Sequence, residues 1–454
     1  MSVVTRVWVK GLYGDFDHDV HIDPDWPFAI VFGPNGVGKT RFFEIIVALA
    51  NLRAHQLARL PFDQAGIEYS DGYRLEVRRE GESGENCVGM LLFDPYHDIE
   101  EQWSWPPPEP ELTAAERREQ NLNRRRILGP WNRLGEDSWF NRITGEGVSD
   151  SELETILGVD LGELLGAEPP ELVADFVAER PVYFIETQRL LSLLREENVE
   201  STPDGRRRRK AATSLEDTVS QYARDMKGRL NAALVSHSQK SQELDQSFPK
   251  RLLDRSVSSE KADEEDIRTR YEAQSRKRRR LEELRLTPEG ADLPLPPGQL
   301  EQGKLDVLDL YLSDSEAKLD SFEEILEKVD LLKEVVNKRF LRKRLVVDAE
   351  AGLSIRRDLD DKLIDPAVLS SGEKHELVMF YDMIFSARPG TLVLIDEPEI
   401  SLHVSWQRQF LEDISRVADL TSIRALIATH SPQIIGPHID KTQELGYEVD
   451  LRAM

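Results

Sequence analysis

The sequence predicts a mixed α/β fold, in which a sheet with flanking helices and an antiparallel sub-sheet carries an inserted, short helical subdomain. Four apolar runs lack alternation and are typical of buried parallel strands; they lie at residues 28–32, 181–185, 391–395 and 424–429. Alternating apolar and polar residues before the first run and at residues 66–97 predict the antiparallel part. A charged middle section repeats apolar residues at three- and four-residue spacing, which predicts helices.

The composition describes a globular protein with an acidic balance. Lys and Arg number 59 against 84 Asp and Glu, which gives a formal net charge of −25. This balance disfavours general coating of nucleic acid, because the phosphate backbone attracts cations. Arginine clusters at residues 124–126, 206–210 and 276–280 leave two interpretations open, solvated helix faces or local DNA contact.

Cysteine use and hydropathy indicate the compartment. The single cysteine, Cys87, excludes an intramolecular disulfide and is typical of a reducing environment. The N-terminal residues enter a strand without a charged-then-apolar leader. No apolar run approaches the roughly 18 residues of a membrane helix. We therefore expect a cytoplasmic protein without a membrane segment.

A phosphate-loop motif follows the first apolar run. Residues 33–40 read GPNGVGKT, between a predicted strand and a predicted helix, which is the context that the G-x-x-x-x-G-K-T motif requires. Glycines let backbone N–H groups surround phosphates, the lysine reaches the β- and γ-phosphates, and the threonine hydroxyl binds Mg²⁺. The candidate nucleotide-binding residues here are Asn35, Gly36, Gly38, Lys39 and Thr40.

Two further segments carry charge at places where α/β proteins bind ligands. Asp396 and Glu397 follow the apolar run at 391–395, so they lie at the carboxyl end of a predicted parallel strand. Residues 369–373 read LSSGE and open a helical pattern, whose free N–H groups and dipole suit an anion. Its candidate binding residues are Ser370, Ser371, Gly372 and Glu373.

Together with the ATHSP segment at 428–432, these motifs resemble ATP-binding-cassette (ABC)-type ATPase heads, in particular the SMC, Rad50, RecF and OLD-type branch. The resemblance covers roughly the first 60 and the last 90 residues. It implies ATP and Mg²⁺ as cofactors, with the metal held by Thr40 and Asp396. It also implies that Glu397 activates water, that His430 contacts the γ-phosphate, and that the LSSGE segment closes over a nucleotide bound to a second head.

The same resemblance assigns Gln188, which follows the apolar run at 181–185, to Mg²⁺ and the attacking water. Arg189 is a competing candidate there for a phosphate contact. His403 occupies a position where SMC and Rad50 proteins commonly carry aspartate, and in this the chain resembles OLD-type ATPases. Taken alone, His403 and His430 each favour structural packing or strand-end hydrogen bonding. Because His430 follows Thr429 at the end of a predicted buried strand, its context favours the phosphate contact.

The predicted domain organisation divides one ABC-type P-loop head among several segments. Residues 1–97 and 341–454 form its two halves, and the strand segment 181–191 returns to it. Residues 98–180, with a Trp- and Pro-rich start, form an insertion that is either a surface loop or a partner-docking lid. Residues 192–340 form a helical, coiled-coil-like insertion, in which residues 247–249 end the first helix and the apolar seam 305–329 seeks a partner helix.

The biological role follows from the resemblance. OLD-type nucleases continue into a Toprim domain, but only 24 residues follow His430, so a nuclease effector is expected on a separate protein. The motifs resemble stand-alone ATPase subunits of bacterial anti-phage defence systems, of the AriA type in PARIS or the PtuA type in Septu. This implies a homo-oligomeric sensor and scaffold that controls a separate nuclease, of Toprim type, in response to a phage-encoded trigger. The alternative is a RecF- or Rad50-like ATPase that clamps DNA, and a third option is a structural ATP-binding protein.

Overall fold

A computed structural model describes residues 2–80, 87–105, 126–133, 138–141, 147–149, 153, 156–158, 169–186, 215–254, 263–287, 295, 301–400 and 402–446. The chain divides into two compact units, which we call the first unit (residues 1–187 with 387–454) and the second unit (residues 188–386).

Strands are numbered in chain order. They are β1 Val4–Leu12, β2 Phe16–His21, β3 Phe28–Phe32, β4 Gln64–Tyr69, β5 Arg74–Glu80, β6 Cys87–Phe93, β7 Ile99–Trp105, β8 Trp131–Arg133, β9 Ser138–Asn141, β10 Gly147–Ser149, β11 Val182–Glu186, β12 Lys343–Asp348, β13 Gly352–Arg357, β14 Leu363–Ile364, β15 Leu392–Asp396, β16 Arg424–Ala428 and β17 Thr442–Glu444.

The helices are numbered in the same way. They are α1 Lys39–Ala50, α2 Ala54–Leu57, α3 Glu171–Ala178, α4 Leu215–Asp254, α5 Glu264–Glu283, α6 Gln302–Leu319, α7 Glu323–Asn337, α8 Ser371–Tyr381, α9 Val404–Gln407, α10 Phe410–Thr421 and α11 Pro432–Ile435. A π-helical turn, Asp382–Ser386, continues α8. No helix among the described residues is long and apolar enough to cross a membrane.

The first unit contains a parallel sheet in the order β11-β15-β16-β3-β17. Its central strands β3, β15 and β16 are buried almost throughout, as continuous apolar runs require when both faces of a sheet are covered. Because all five strands run in the same direction, the carboxyl ends of β3, β15 and β16 meet at one edge. The phosphate loop, the acidic pair and the ATHSP segment all begin at that edge.

An antiparallel sheet, in the order β2-β1-β4-β5-β6-β7, completes the main body of the first unit. It extends past the predicted boundary at residue 97, because β7 pairs with β6 from Ile99 to Trp105. Trp103 and Trp105 are half-buried against the apolar core and do not form an exposed docking surface. Helix α3 also joins this core through Val173 and Phe176, so both ends of the predicted insertion 98–180 belong to the body of the first unit.

The second unit joins a helical bundle to a three-stranded sheet, β12-β13-β14. The apolar seam has an intramolecular partner, since Leu305 and Leu312 pack with Ile267 of α5. A 3₁₀ turn at Asp320–Phe322 separates α6 from α7, so the seam is divided between two helices. Strands β12–β14 belong to this unit although the sequence assigned them to the head, and Gly352 at their hairpin touches α4 so closely that a Cβ would lie 1.8 Å from the Ala223 carbonyl oxygen.

The prediction that residues 247–249 end a helix was wrong, because α4 continues through Pro249 to Asp254. Proline removes one backbone donor and normally leaves carbonyl groups one turn earlier without a partner. Here the Ser247 hydroxyl donates to the carbonyl groups of Glu243 and Leu244 at 3.1 Å each. The Arg251 guanidinium also donates to the Leu244 carbonyl, at 2.9 Å. These side-chain bonds reinforce the turn that precedes Pro249, although the carbonyl that loses its helical donor is that of Asp245.

Candidate functional site

The phosphate loop connects β3 to α1 and depends on glycine at two kinds of position. Gly36 and Gly38 have φ of +94° and +86°, a region that other residues rarely adopt. Gly33 has an ordinary φ, but a Cβ at this position would lie 2.2 Å from the Leu445 carbonyl oxygen. Asn35 and Gly36 are exposed, and the first N–H groups of α1 lack helical acceptors. This exposed cradle at a helix start fits a phosphate group.

We expect Gly33→Ala to destabilise the first unit by about 1–3 kcal/mol, because the added methyl group meets backbone atoms that cannot rotate away. Leu445 is fixed there, since its N–H donates to the Phe32 carbonyl at 2.7 Å. Thermal unfolding of the nucleotide-free protein measures the effect. Gly228→Ala in α4 is the matched control, because a Cβ there meets nothing within 4 Å. Equal melting temperatures for the two variants would contradict the predicted clash.

Lys39 lies at the start of α1 and is only 6% exposed. Its ammonium group donates to the carbonyl oxygens of Gly33 and Pro34, at 3.1 and 3.3 Å, and contacts the His430 ring. Burial lowers the pKa of Lys39, while the nearby carboxylates of Glu397, Asp396 and Glu399 act in the opposite direction. The ammonium is therefore held at the mouth of the phosphate loop, facing three acids.

Thr40 and Asp396 meet across the edge of the parallel sheet. The Thr40 hydroxyl donates to a carboxylate oxygen of Asp396 at 2.5 Å, and Asp396 is 2% exposed. A hydroxyl and a carboxylate are hard oxygen donors of the kind that Mg²⁺ takes beside nucleotide phosphates. Their direct contact shows that both can reach one small ion, so these residues fit the metal that the resemblance implies.

Glu397 and His430 lie at the ends of the neighbouring strands β15 and β16. The Glu397 carboxylate is 3.9 Å from the His430 Nε2 atom, and their side chains are 19% and 33% exposed. Glu397 has φ of +46°, which is a strained conformation for this residue. Its N–H donates to the Ala428 carbonyl at 2.8 Å, and this bond holds the turn in place.

Two residues that sequence reasoning missed also touch this site. His18 is 2% exposed, its Nε2 atom lies 2.8 Å from the Val37 carbonyl oxygen inside the phosphate loop, and burial lowers its pKa. Glu399 accepts hydrogen bonds from Thr429 and from the His430 N–H. The alternation of Phe16, His18 and Val20 along β2 was the available signal for His18. For Glu399 no signal was available beyond its position two residues after Glu397.

The LSSGE segment begins α8 in the second unit. Ser370 caps this helix in a capping box: its hydroxyl accepts from the Glu373 N–H at 3.4 Å, and its own N–H donates to the Glu373 carboxylate at 2.9 Å. Lys343 donates to the same carboxylate at 2.9 Å. Ser370 and Glu373 therefore build the helix start, whereas Ser371 is exposed and Gly372 half-exposed at its first turn.

His375 lies one turn into α8 and is completely buried, and neither of its ring nitrogens has a hydrogen-bond partner. Burial lowers its pKa from 6.5 to about 4. Between pH 6.5 and about 4, His375 is protonated in the unfolded chain but neutral in the folded chain. Its contribution to the free energy of unfolding is therefore fully present above pH 6.5 and decreases as the pH falls toward 4. We expect the free energy of unfolding to decrease by about 2 kcal/mol between pH 7.5 and pH 5 from this residue.

The variant His375→Leu should remove that part of the pH dependence and stabilise the protein at neutral pH, because a leucine leaves no polar atoms unpaired. Denaturant titrations at the two pH values measure it. His21→Gln, which removes an imidazole whose side chain is 71% exposed, is the control and should keep the wild-type difference. If His375→Leu retains the full difference, His375 is not its source.

Gln188, Arg189 and Ser401 lie outside the described residues. His403 precedes α9 as its N-cap, and its Nδ1 atom accepts from the Ser405 N–H at 3.3 Å. Its contacts are those of a helix cap, which agrees with the structural interpretation of this histidine.

The parallel sheet that carries the phosphate loop, together with the antiparallel sheet, gives this chain the mixed α/β fold that the sequence predicted. The chain belongs to the family described as "AAA domain, putative AbiEii toxin, Type IV TA system", whose model matches residues 194–436, more than half of the sequence. No significant match was found among curated proteins.

Solved SMC heads are similar to this chain at low identity. The Smc head domain derived from Pyrococcus furiosus, with an extended coiled coil and bound to the C-terminal domain of ScpA, is 14% identical, with 96% of this chain and 91% of that chain covered and a TM-score of 0.33. An SmcHead bound to the C-winged helix domain of ScpA is 10% identical, with 100% of both chains covered and a TM-score of 0.35. At these values neither similarity carries a conclusion about activity or partners.

Proposed function

We propose that this chain binds ATP with Mg²⁺ and hydrolyses it. The observation that carries the proposal is the convergence of five polar side chains from the ends of three adjacent strands. Lys39 and Thr40 follow β3, Asp396 ends β15 with Glu397 directly after it, and His430 follows β16. Thr40 lies 2.5 Å from Asp396, Lys39 contacts the His430 ring, and Glu397 lies 3.9 Å from His430. Cations, hard oxygens and a carboxylate at one helix start are the groups that phosphoryl transfer uses.

Each residue has a distinct part in the proposed reaction. Bound Mg–ATP supplies the phosphoanhydride bond and the divalent charge. Lys39 and the loop N–H groups hold the β- and γ-phosphates, and Thr40 and Asp396 provide oxygens for the metal. Glu397 accepts a proton from the attacking water. His430 donates to the γ-phosphate, and its contact with Lys39 keeps it within reach of that position.

We further propose that ATP drives assembly of two or more copies, and that the assembly restrains a separate nuclease effector until a phage-encoded trigger releases it. Ser371 and Gly372 support the first part, because they are accessible at the start of α8 and can close over a nucleotide held by another copy. The family description, which names a toxin and a Type IV TA system, supports a role in a system with a toxic component. The effector's Toprim class rests on the sequence resemblance alone.

The described arginine cluster weighs against the alternative of a DNA clamp. Within residues 276–280, Lys277 pairs with Glu323 at 2.5 Å, and Arg280 pairs with Asp330. Arg278 donates to the Ser315 hydroxyl at 2.9 Å. Cations that already have partners inside the bundle are less available to a phosphate backbone, so we favour the effector-restraining scaffold.

Mass photometry of the chain co-expressed with its neighbouring gene tests the assembly. With ATP, we expect an oligomer that is at least a dimer, carries the second protein and persists longest in Glu397→Gln. Ser371→Arg, which blocks the α8 start, should prevent assembly without affecting ATP binding by one copy. A dimer that carries no second protein and binds only DNA, with affinity falling steeply as salt increases, would support the DNA clamp instead.

A further inference from the structure

Glu399 binds the segment that carries His430 with both of its carboxylate oxygens. One oxygen accepts from the Thr429 hydroxyl at 2.8 Å, and the other accepts from the His430 N–H at 2.6 Å. These are charge-assisted bonds at short distances, which are the stronger kind of hydrogen bond. Glu399 lies in a 3₁₀ turn, Pro398–Ile400, directly after Glu397. The turn that presents Glu397 is thus tied to the strand end that presents His430.

A second connection joins the same two segments a few residues further along. The Ser431 hydroxyl donates to the Gln407 side-chain oxygen at 2.7 Å in a buried position. The Gln407 amide in turn donates to the Leu402 carbonyl at 3.2 Å. The Ser431 N–H donates to the Thr429 hydroxyl oxygen at 3.0 Å, so Thr429 links the two connections. Glu399 and Gln407 therefore both hold the segment at residues 429–431.

We propose that Glu399 is a positioning residue, which fixes the main chain of His430 relative to Glu397 and so maintains the 3.9 Å approach of their side chains. The role of Glu399 in turnover rests on the proposed ATPase function, whereas its hydrogen bonds to Thr429 and His430 do not. Glu397 sits in a strained turn with φ of +46°, which persists only where the surroundings fix it. Glu399 provides such a restraint two residues away.

The chemistry explains why a carboxylate is needed here. Thr429 and His430 present two donors, and a carboxylate offers one acceptor oxygen to each. A glutamine offers one oxygen and one NH₂ group, so one of the two donors would face another donor. Glu399→Gln is thus nearly the same in shape but cannot hold both groups.

The test compares Glu399→Gln with wild type by hydrogen exchange and by kinetics, with Glu412→Gln on the exposed face of α10 as the control. In nucleotide-free protein we expect exchange at the His430 and Ser431 amides to rise about tenfold, which corresponds to the loss of one hydrogen bond. We expect kcat for ATP hydrolysis to fall about 10- to 100-fold while the Kd for ATP changes less than about threefold. In a His430→Ala background, adding Glu399→Gln should change kcat less than about threefold, because the positioned group is already absent.

Three results would overturn the proposal. Unchanged exchange at His430 would show that Glu399 does not hold this segment. Faster exchange with unchanged kcat would show a structural tie without a positioning role. An undiminished loss of kcat in the His430→Ala background would show that Glu399 acts independently of His430. If the wild-type protein hydrolyses no ATP, that result contradicts the proposed ATPase function only. The exchange measurement then still decides whether Glu399 holds the segment at residues 429–431.

Discussion

Glu397→Gln is expected to slow ATP hydrolysis by about three orders of magnitude while leaving the Kd for ATP within about threefold. A positioned general base typically contributes 10²- to 10⁴-fold, and the amide cannot accept the proton of the attacking water. Binding is preserved because the groups assigned to phosphate and metal, Lys39, Thr40 and Asp396, keep their contacts. Phosphate release at saturating ATP and calorimetric titration with ATP measure the two quantities.

The substitution is a sharp test because Glu397 and Gln have nearly the same shape, so the strained turn at φ +46° is kept. Glu412→Gln is the control, since it makes the same chemical change at an exposed position of α10 and should leave kcat unchanged. Turnover that is equal in Glu397→Gln and wild type would exclude Glu397 as the base and favour a chain that binds ATP for structural purposes. A loss of ATP binding would instead show that Glu397 supports the phosphate loop itself.

The fold class was predictable because its signals are local. A continuous apolar run identifies β3, β15 and β16, and a glycine-rich motif directly after β3 identifies the phosphate loop. Parallel strands then bring their carboxyl ends together without further information. For this reason one candidate site could be predicted from the sequence alone, formed by Lys39, Thr40, Asp396, Glu397 and His430. The roles of these residues remain predictions.

Contacts between segments distant in sequence could not be predicted in this way. Glu399 meets Thr429 and His430 only because β15 and β16 are neighbours in register, and a lone glutamate in a loop carries no sign of that. The Trp- and Pro-rich segment left a surface loop and a partner-docking lid as open alternatives, but β7 pairs with β6 and packs Trp103 and Trp105 against the core. Pro249 was expected to end a helix, but α4 continues through it to Asp254, and Arg251 in its last turn pairs with Asp314 of α6 at 2.7 Å. In each case tertiary contacts override a correct local preference.

Glu376→Ala is expected to destabilise the second unit by about 3–5 kcal/mol, the usual cost of leaving one member of a buried ion pair without its partner. The Arg339 Nε atom lies 2.9 Å from a Glu376 carboxylate oxygen, and the two side chains are 2% and 1% exposed. The arginine cannot escape to water, because it also donates to the Val335 carbonyl at 2.7 Å and stacks 5.1 Å over the Phe380 ring. Differential scanning calorimetry of the full chain measures the lost stability.

The pair and its surroundings allow a matched comparison. Glu334 and Lys338 form an exposed ion pair with a distance of 2.8 Å, and their side chains are 45% and 46% exposed. Glu334→Ala should lower the free energy of unfolding by less than about 1 kcal/mol. Replacing both buried partners, Arg339→Met with Glu376→Leu, should recover most of the stability, because an apolar pair of similar volume leaves no buried charge. If Glu376→Ala costs no more than Glu334→Ala, the ion pair adds nothing to the unit's stability. Glu376 belongs to α8, whose first turn carries Ser371 and Gly372, so Glu376→Ala should also weaken ATP-dependent assembly. If the weakening comes from a less stable helix, the double variant should restore assembly. If assembly needs the charges themselves, the double variant should not restore it.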